Sequence, residues 1–256
     1  MNRFVLRIAY DGSGFHGWQK QPAARTVQGE IERALSEIAK EQIKTIGSSR
    51  TDTGVHALNQ FVHFDFPFNM TPQQIKLAIT TKLAKDIKIN QVYTVENDFN
   101  VRFEAIGRSY KYIIAKELTP FNRLYKSFFP KYKIKKEQIE QCLPLLMGRN
   151  DFEFFCQKRE DLHTYISVVS AVAFHETKDE FIFEITADRF LHNMVRRIIG
   201  TMVRLSDNKE VYQIMKELLS RNREYLHLVF TAPPQGLYLM NVLYPAGHFP
   251  EYEFNA

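Results

Sequence analysis

The stretch Gly47-Ser48-Ser49-Arg50-Thr51-Asp52-Thr53-Gly54-Val55-His56-Ala57 decides how this chain is organised. An apolar run, Ile43 to Ile46, precedes it, and Phe61 to Phe66 alternates like a half-buried strand. The stretch therefore predicts a loop between two strands. In an extended segment, residues two apart point the same way, so the Arg50 guanidinium and the Asp52 carboxylate can share one pocket. A solvated turn is the alternative, because Gly, Ser, Thr and Asp are ordinary turn residues.

The composition bounds the class of protein. The chain has 256 residues, of which 45% are hydrophobic and 25% charged, and this balance is ordinary for a globular protein with one large or two small domains. A net charge of +5 permits an anionic partner. Cys142 and Cys156 show neither a metal-ligand spacing nor a disulfide framework. With no apparent signal peptide or membrane-spanning stretch, we expect a cytoplasmic protein.

The first half of the chain carries the pattern strand, helix, strand, strand, helix, strand. Arg3 to Tyr10 and Ile87 to Val95 have strand character. Thr26 is placed to cap the first helix, and Thr71 with Gln74 to form the capping box of the second. This order is the split βαβ, or ferredoxin-like, pattern. The only tryptophan, Trp18, is expected to be a buried aromatic.

The second half repeats the order without repeating the sequence. A helix is predicted over Glu137 to Met147, distorted late by Pro144, and Asp151 to Phe155 and Lys158 to Asp161 are interpreted as a connecting loop. The other predicted elements are strands at Ser109–Ala115, Tyr165–His175, Glu180–Ala187 and Gly236–Tyr244, and helices at Phe190–Leu205 and about Glu210–Ser220. We therefore expect an α+β fold of two domains, 1–106 carrying the Asp52 loop and 107–256 completing a cleft between two sheets joined side by side.

The chemistry available is that of a single carboxylate. No second catalytic carboxylate, glycine-rich phosphate loop, metal cluster or Ser-His-Asp order is evident. This leaves Asp52 as a nucleophile or base assisted by neighbouring cations. In Phe99 to Phe103, Arg102 stands between aromatics, a pairing that suits a nucleic-acid backbone and a stacked base. Tyr110 could equally be a core aromatic, and Arg196 a residue on a solvated helix face.

Taken together, several stretches closely resemble the tRNA pseudouridine synthase A family. The resemblance runs through nearly the whole chain in the family's order. The stretches that carry it are Tyr10-Asp11-Gly12 with Gly17-Trp18-Gln19-Lys20-Gln21, Thr26-Val27-Gln28, the Gly47 to Ala57 loop, Arg102-Phe103 with Arg108-Ser109-Tyr110-Lys111-Tyr112, Phe190-Leu191-His192-Asn193-Met194-Val195-Arg196, and Thr231-Ala232-Pro233-Pro234-Gln235-Gly236-Leu237-Tyr238-Leu239.

The resemblance implies a role for each matching residue. Asp52 corresponds to the aspartate that attacks the target uridine, and Arg196 to the helix arginine that pairs with it. Tyr110 corresponds to the tyrosine that stacks on the flipped uracil, and Leu237 to an apolar wall of its pocket. Arg50 corresponds to the arginine that fills the gap left by base flipping. The segment Phe99, Asn100, Val101, Arg102 and Phe103 corresponds to one that contacts tRNA.

The resemblance also implies the assembly and the reaction. It implies two α+β domains that share a central mixed, mainly antiparallel sheet flanked by helices. The expected protein is a homodimer that modifies tRNA in the anticodon stem-loop, at positions 38–40, without a cofactor or metal. Uridine becomes pseudouridine when the N1–C1′ bond breaks and C5 bonds to C1′. Whether the aspartate attacks C1′ or removes a sugar proton to give a glycal stays open.

Three departures from the family pattern bear on the choice of RNA. Asn150 stands where histidine is usual, Ile166 where arginine is common, and Thr80-Thr81 where Leu-Asn is usual. They suggest one alternative, a pseudouridine synthase aimed at another RNA or position. The basic loop Lys126 to Lys136 and the ferredoxin-like pattern suggest another, a non-catalytic RNA-binding protein. The latter would bind tRNA in a salt-dependent way without isomerising it.

Overall fold

The computed structural model describes residues 2–158 and 164–249. The predicted α+β class is confirmed. Contacts within the chain divide the described residues into two compact units, 2–107 with 238–249, and 108–237. The first unit ends next to the boundary expected at residue 106, and the last strand groups with that unit. Of the predicted connecting loop at Lys158 to Asp161, all but Lys158 lies outside the described residues.

The elements are named in chain order. The strands are β1 (Asn2–Tyr10), β2 (Ile46–Gly47), β3 (His56–Phe66), β4 (Ile87–Val95), β5 (Gly107–Ala115), β6 (Gly148–Asp151), β7 (Ile166–Glu176), β8 (Glu180–Ala187) and β9 (Leu237–Leu243). The helices are α1 (Val27–Ala39), α2 (Pro72–Thr80), α3 (Lys136–Glu140), α4 (Leu143–Leu146), α5 (Met194–Leu205) and α6 (Val211–Leu219).

The first unit is a sheet in the order β4-β1-β3-β9, with α1 and α2 formed by its own residues. Strand β1 pairs antiparallel with both β3 and β4, and β9 pairs parallel with β3. The short β2 runs antiparallel to β3 and ends where the Asp52 loop begins. Since β1 is the central partner, its Phe4, Leu6 and Ile8 are buried in the core of this unit.

The two helices of the first unit begin where their capping residues predict. The Thr26 hydroxyl accepts a hydrogen bond from the Gly29 N–H at the start of α1. At the start of α2, Thr71 and Gln74 form the complete capping box. Within α2, Ile75 and Ile79 are buried.

The second unit is an antiparallel sheet in the order β5-β8-β7-β6. Tyr110 of β5 pairs with Ile185 of β8, and this register fixes which side of the sheet Tyr110 faces. Strand β6 was not predicted, because Gly148 to Asp151 lacks the apolar alternation of a half-buried strand. It forms through main-chain pairing with β7, and the prediction of a connecting loop from Asp151 was wrong at that residue.

Two helices of the second unit differ from their predicted bounds. The region of Glu137 to Met147 is split into α3 and α4, and Pro144 lies in the first turn of α4, where its missing N–H does no harm. Helix α5 begins at Met194 rather than Phe190, because Asn193 has a φ of 64° and so interrupts helical geometry. Over residues 2–158 and 164–249, no helix is both long enough and apolar enough to cross a bilayer.

Candidate active site

The Gly47–Ala57 loop leaves the sheet at Ser49, and the side chain of Gln60 holds it there. The last backbone bond of the ladder runs from the Ser48 N–H to the Phe61 carbonyl at 2.8 Å. Beyond it, the fully buried Gln60 amide donates to the Ser49 carbonyl at 2.7 Å and accepts from the Ser49 N–H at 3.2 Å. Its oxygen also accepts from the Ser48 hydroxyl at 2.6 Å. Gln60 thus replaces a backbone partner where the chain diverges from β3.

Thr51 is held from two sides. Its Oγ1 lies 2.8 Å from the Tyr10 hydroxyl, and both side chains are buried. The Thr51 carbonyl accepts a hydrogen bond from the main-chain N–H of Trp18 at 3.0 Å. Trp18 itself is 3% exposed, so the prediction of a buried aromatic is confirmed. The residue that precedes Asp52 therefore has both its side chain and its main chain fixed.

Arg50 and Asp52 alternate with these held residues. Arg50 is exposed and Asp52 is partly buried, whereas Thr51 between them is buried. The Val55 N–H donates to the Asp52 carbonyl at 3.1 Å and closes the turn. The loop therefore turns Thr51 inward, while the residues on either side of it, Arg50 and Asp52, are more exposed.

Two glycines allow the 11–18 segment to lie against this loop. Gly17 has a φ of 82°, and a Cβ there would stand 2.7 Å from the Thr51 carbonyl oxygen. At Gly47 a Cβ would stand 2.5 Å from the Trp18 ring. Any side chain at either position would push the loop and the tryptophan apart, so the close approach requires glycine.

His56 has a structural environment. It is 2% exposed, and its Nδ1 accepts a hydrogen bond from the Gly12 N–H at 3.0 Å. Its ring stacks on the ring of Tyr238, with 4.7 Å between the two centroids. The Asp11 carboxylate lies 3.2 Å from the same nitrogen. These contacts tie the end of the loop to the turn after β1.

The second unit fixes Arg196 on the first turn of α5. Its Nε donates to the Ala232 carbonyl at 2.8 Å, and its Nη1 donates to Asn193 Oδ1 at 2.9 Å. The Arg196 carbonyl in turn accepts from the Ala232 N–H at 3.0 Å. The left-handed backbone of Asn193 thus places its amide beside the guanidinium. Two bonds set the plane of the Arg196 head, and a planar, oriented guanidinium suits a carboxylate.

The segment 232–233, which accepts the hydrogen bond from Arg196, is itself held by the second unit. The Tyr112 hydroxyl donates to the Pro233 carbonyl at 2.8 Å and also bonds the Ser127 hydroxyl. Burial raises the pKa of Tyr112, so this hydroxyl stays protonated at any ordinary pH. Tyr112 is a core residue whose hydrogen bond supports the partner of Arg196.

Tyr110 and Leu237 are buried side chains of the second unit. Tyr110 is 7% exposed, and its ring meets Phe190 edge to face with centroids 4.9 Å apart. Leu237 is 5% exposed. The near-perpendicular contact with Phe190 is a favourable aromatic geometry that helps to hold the Tyr110 ring. The sequence-predicted site residues are therefore Arg50 and Asp52 in the first unit, and Tyr110, Arg196 and Leu237 in the second.

The Phe99–Phe103 segment divides into anchors and exposed residues. Phe99 and Val101 are buried, whereas Arg102 is exposed and Phe103 is 78% exposed. The Phe99 carbonyl accepts from Arg3 at 3.0 Å, and the Val101 carbonyl accepts from the Tyr244 hydroxyl at 2.7 Å. Asn100 Oδ1 accepts from the Arg102 N–H at 3.0 Å. The anchors present the Arg102 and Phe103 side chains, with the guanidinium 5.9 Å from the ring centroid.

The residues that depart from the family pattern make local contacts in this structure. The Asn150 amide nitrogen lies 3.1–3.2 Å from the carbonyl oxygens of Leu145, Leu146 and Met147. It therefore supplies a hydrogen-bond donor to carbonyls at the end of α4. Ile166 begins β7 opposite Asp151. The hydroxyls of Thr80 and Thr81 bond carbonyls of their own helix.

Sequence reasoning gave no role to the side chains that hold the Asp52 loop and the Arg196 guanidinium. These are Gln60 and Tyr10 for the loop, and Asn193 for Arg196. The signal for Gln60 was a polar residue directly before a strongly apolar strand segment, whereas Tyr10 was assigned to a strand and quoted in the Tyr10-Asp11-Gly12 stretch without a role of its own. Within the described residues, no group of three or more histidine, cysteine or acidic side chains is arranged to bind a metal.

The chain matches the family model described as tRNA pseudouridine synthase over residues 7–104 and 143–245. A tRNA pseudouridine synthase A of Listeria monocytogenes serotype 4a is 37% identical over 249 residues, covering 95% of this chain and 100% of the relative. The protein of the same name from Leuconostoc mesenteroides is 35% identical over 257 residues, with the same coverage.

Among solved structures, a Cbf5-Nop10-Gar1 complex matches with a TM-score of 0.39 and 9% identity. The match covers 92% of this chain and 57% of that one. A likeness of this size is too weak to bear on fold or function.

Proposed function

The chain belongs to the tRNA pseudouridine synthase family, and from this membership we propose that it isomerises uridine to pseudouridine in the anticodon stem-loop of tRNAs, at positions 38–40. The enzyme class is that of an isomerase acting within one nucleotide of tRNA. The family match includes the Asp52 loop and α5, and the relatives named for this activity align over nearly the whole chain.

The observation that carries the proposal is the presentation of Asp52. Its carboxylate is partly buried on a loop whose neighbouring residues are fixed by Gln60, Tyr10 and Trp18. A preorganised carboxylate reacts without first losing conformational freedom. This is the property required of a group that must meet C1′ of one nucleotide.

The reaction proceeds by exchange of bonds at C1′. In one route Asp52 attacks C1′, and uracil leaves with the electron pair of the N1–C1′ bond. The ring turns, C5 bonds to C1′ and displaces the carboxylate, and the C5 proton is then lost while N1 gains one. In the other route Asp52 removes the C2′ proton as uracil leaves with the electron pair of the N1–C1′ bond, which gives a glycal. C5 of the turned ring then bonds to C1′ while the proton returns to C2′, and the C5 proton is lost while N1 gains one. Both routes need an ionised carboxylate and a stabilised uracil anion.

Arg196, Tyr110 and Leu237 are proposed to complete the pocket. Arg196 pairs with Asp52, which keeps the carboxylate ionised, and stabilises the negative charge on the departing base. Tyr110 stacks on the uracil, and Leu237 supplies an apolar wall. The support within the second unit is the fixed guanidinium plane of Arg196 and the packing of the Tyr110 ring against Phe190.

RNA binding is proposed to involve Arg50 and the Phe99–Phe103 segment. Extruding a base costs a few kcal/mol of stacking, which Arg50 offsets by occupying the vacated space. Arg102 contacts a phosphate and Phe103 stacks on a base, while Phe99, Asn100 and Val101 form and hold the segment. The exposure of Arg50, Arg102 and Phe103 supports these roles.

The assembly is proposed to be a cytoplasmic homodimer in which both subunits contact one tRNA, without a cofactor or metal. The support is the family membership, together with two buried free thiols that fit a reducing compartment. Sedimentation of the protein with and without tRNA tests the dimer. A monomer at all concentrations would contradict it.

Mapping pseudouridine tests the function. Unmodified tRNA transcripts are incubated with the protein, and pseudouridines are located by carbodiimide modification and primer extension. We expect new pseudouridines at positions 38–40 and none with Asp52→Ala. The same mapping is done on RNA from a strain that lacks the gene for this protein. Pseudouridines that form only in another RNA would favour the alternative suggested by the departures at Asn150 and Ile166, which is a different RNA target. Salt-sensitive tRNA binding without any product would favour a non-catalytic RNA-binding protein.

A further inference from the structure

The Asp52 loop is held on alternate residues by groups outside it. Ser49 is bound through both its N–H and its carbonyl by Gln60. Thr51 is bound through its hydroxyl by Tyr10 and through its carbonyl by the Trp18 N–H. Of these contacts, the one between Tyr10 and Thr51 is a buried pair of hydroxyls directly before Asp52.

We propose that Tyr10 is a positioning residue for Asp52, acting through the Thr51 side chain. This inference rests on the proposed function of Asp52 and names a further residue that the reaction needs. Tyr10 is the last residue of β1, which lies between β4 and β3, and the residue is 5% exposed. A hydroxyl on so well supported a side chain is a fixed point for the loop.

The hydrogen bond acts on a stiff side chain. Thr51 is β-branched, so its χ1 angle has few accessible values, and a bond to Oγ1 selects one of them. The 2.8 Å separation from the Tyr10 hydroxyl and the 3.0 Å bond from the Trp18 N–H to the Thr51 carbonyl together restrain the main chain that enters Asp52. Because Asp52 directly follows, this restraint limits the directions its carboxylate can take.

Removing the hydroxyl should release the carboxylate while leaving the fold in place. Tyr10→Phe keeps the ring that packs 6.4 Å from Trp18, so the core retains its shape. A displacement of a reacting group by about 1 Å can cost up to about 100-fold in rate. We expect the single-turnover rate of pseudouridine formation to fall at least about tenfold, with the Kd for tRNA unchanged.

The test is a double-mutant cycle with a second readout. Tyr10→Phe, Thr51→Val and the double variant are compared for single-turnover rate, tRNA affinity and hydrogen exchange of residues 47–56. If the two hydroxyls act as one unit, the double variant is no slower than the slower single variant. Exchange in residues 47–56 rises in all three. Ile79→Val in α2, which removes a buried methyl outside the loop, is the control for loss of stability alone and leaves the rate unchanged.

The outcomes separate this inference from the proposed function. A Tyr10→Phe rate within about twofold of wild type, or rate losses that multiply in the double variant, overturns the positioning role. A fall in rate matched by Ile79→Val overturns it too. If the wild type forms no pseudouridine, the proposed function fails, and the exchange of residues 47–56 alone then decides whether Tyr10 restrains the loop.

Discussion

In the first unit, the Val101 N–H donates a hydrogen bond to Nδ1 of the buried His63, with 3.3 Å between the two nitrogens. Burial, and then the nearby Arg3 cation, lower the pKa of His63 from its ordinary 6.5 to about 4, while Asp65 opposes this shift. His63 is therefore neutral, as an acceptor of this bond must be. It joins β3 to the Phe99–Phe103 segment proposed to contact RNA.

This relationship predicts how stability depends on pH. Between pH 6.5 and pH 4 the unfolded chain binds a proton at His63 that the folded chain does not, so the free energy of unfolding falls as the pH falls through that window. The full loss is about 3 kcal/mol. Urea unfolding of the wild type and His63→Asn at a series of pH values measures it. The asparagine side chain keeps an acceptor without titrating, and an equally steep dependence in that variant would contradict the prediction.

Gly47→Ala should destabilise the chain and disturb the Asp52 loop. The added methyl would stand 2.5 Å from the Trp18 ring, so the ring or the loop must move. Such overpacking costs about 1–3 kcal/mol. Gly14→Ala is the matched control, because a Cβ there meets the movable end of the Arg25 side chain at 3.3 Å. Urea unfolding and Trp18 fluorescence should change in the first variant, and equal effects of the two would refute the steric account.

Arg102→Gln and Phe103→Ala should weaken tRNA binding without changing stability, because both side chains are exposed. Loss of a phosphate contact should reduce the salt dependence of binding by about one in slope. Loss of a stacked base should cost about 1–3 kcal/mol. Filter binding over a range of salt concentrations measures both. Phe68→Ala, a truncation of a half-exposed aromatic outside the segment, should leave affinity unchanged. A wild-type Kd in both test variants would remove the segment from the RNA interface.

The sequence predicted best what depends on local pattern. The bounds of β4 and β8 coincide with their predicted ranges, because both strands carry clear β character between turn residues. The capping box at Thr71 and Gln74 is equally local. The Asp52 loop was located because two flanking apolar segments bound it.

What the sequence could not predict depends on tertiary contacts. Helix α5 begins at Met194 and not at the predicted Phe190 because Asn193 has a positive φ, which local composition does not reveal. Strand β6 forms because the main chain of its polar residues pairs with β7. The contact of Tyr10 with Thr51 joins residues 41 apart, and nothing at either position alone indicates it.

The central claim is that the Asp52 carboxylate carries out the isomerisation. The most direct measurement is tritium release from tRNA labelled at C5 of its uridines, since that hydrogen is lost only when C5 bonds to C1′. We predict release by the wild type in step with pseudouridine formation, and none by Asp52→Asn or Asp52→Ala, although both variants fold and bind tRNA. Release at the wild-type rate by either variant would contradict the account.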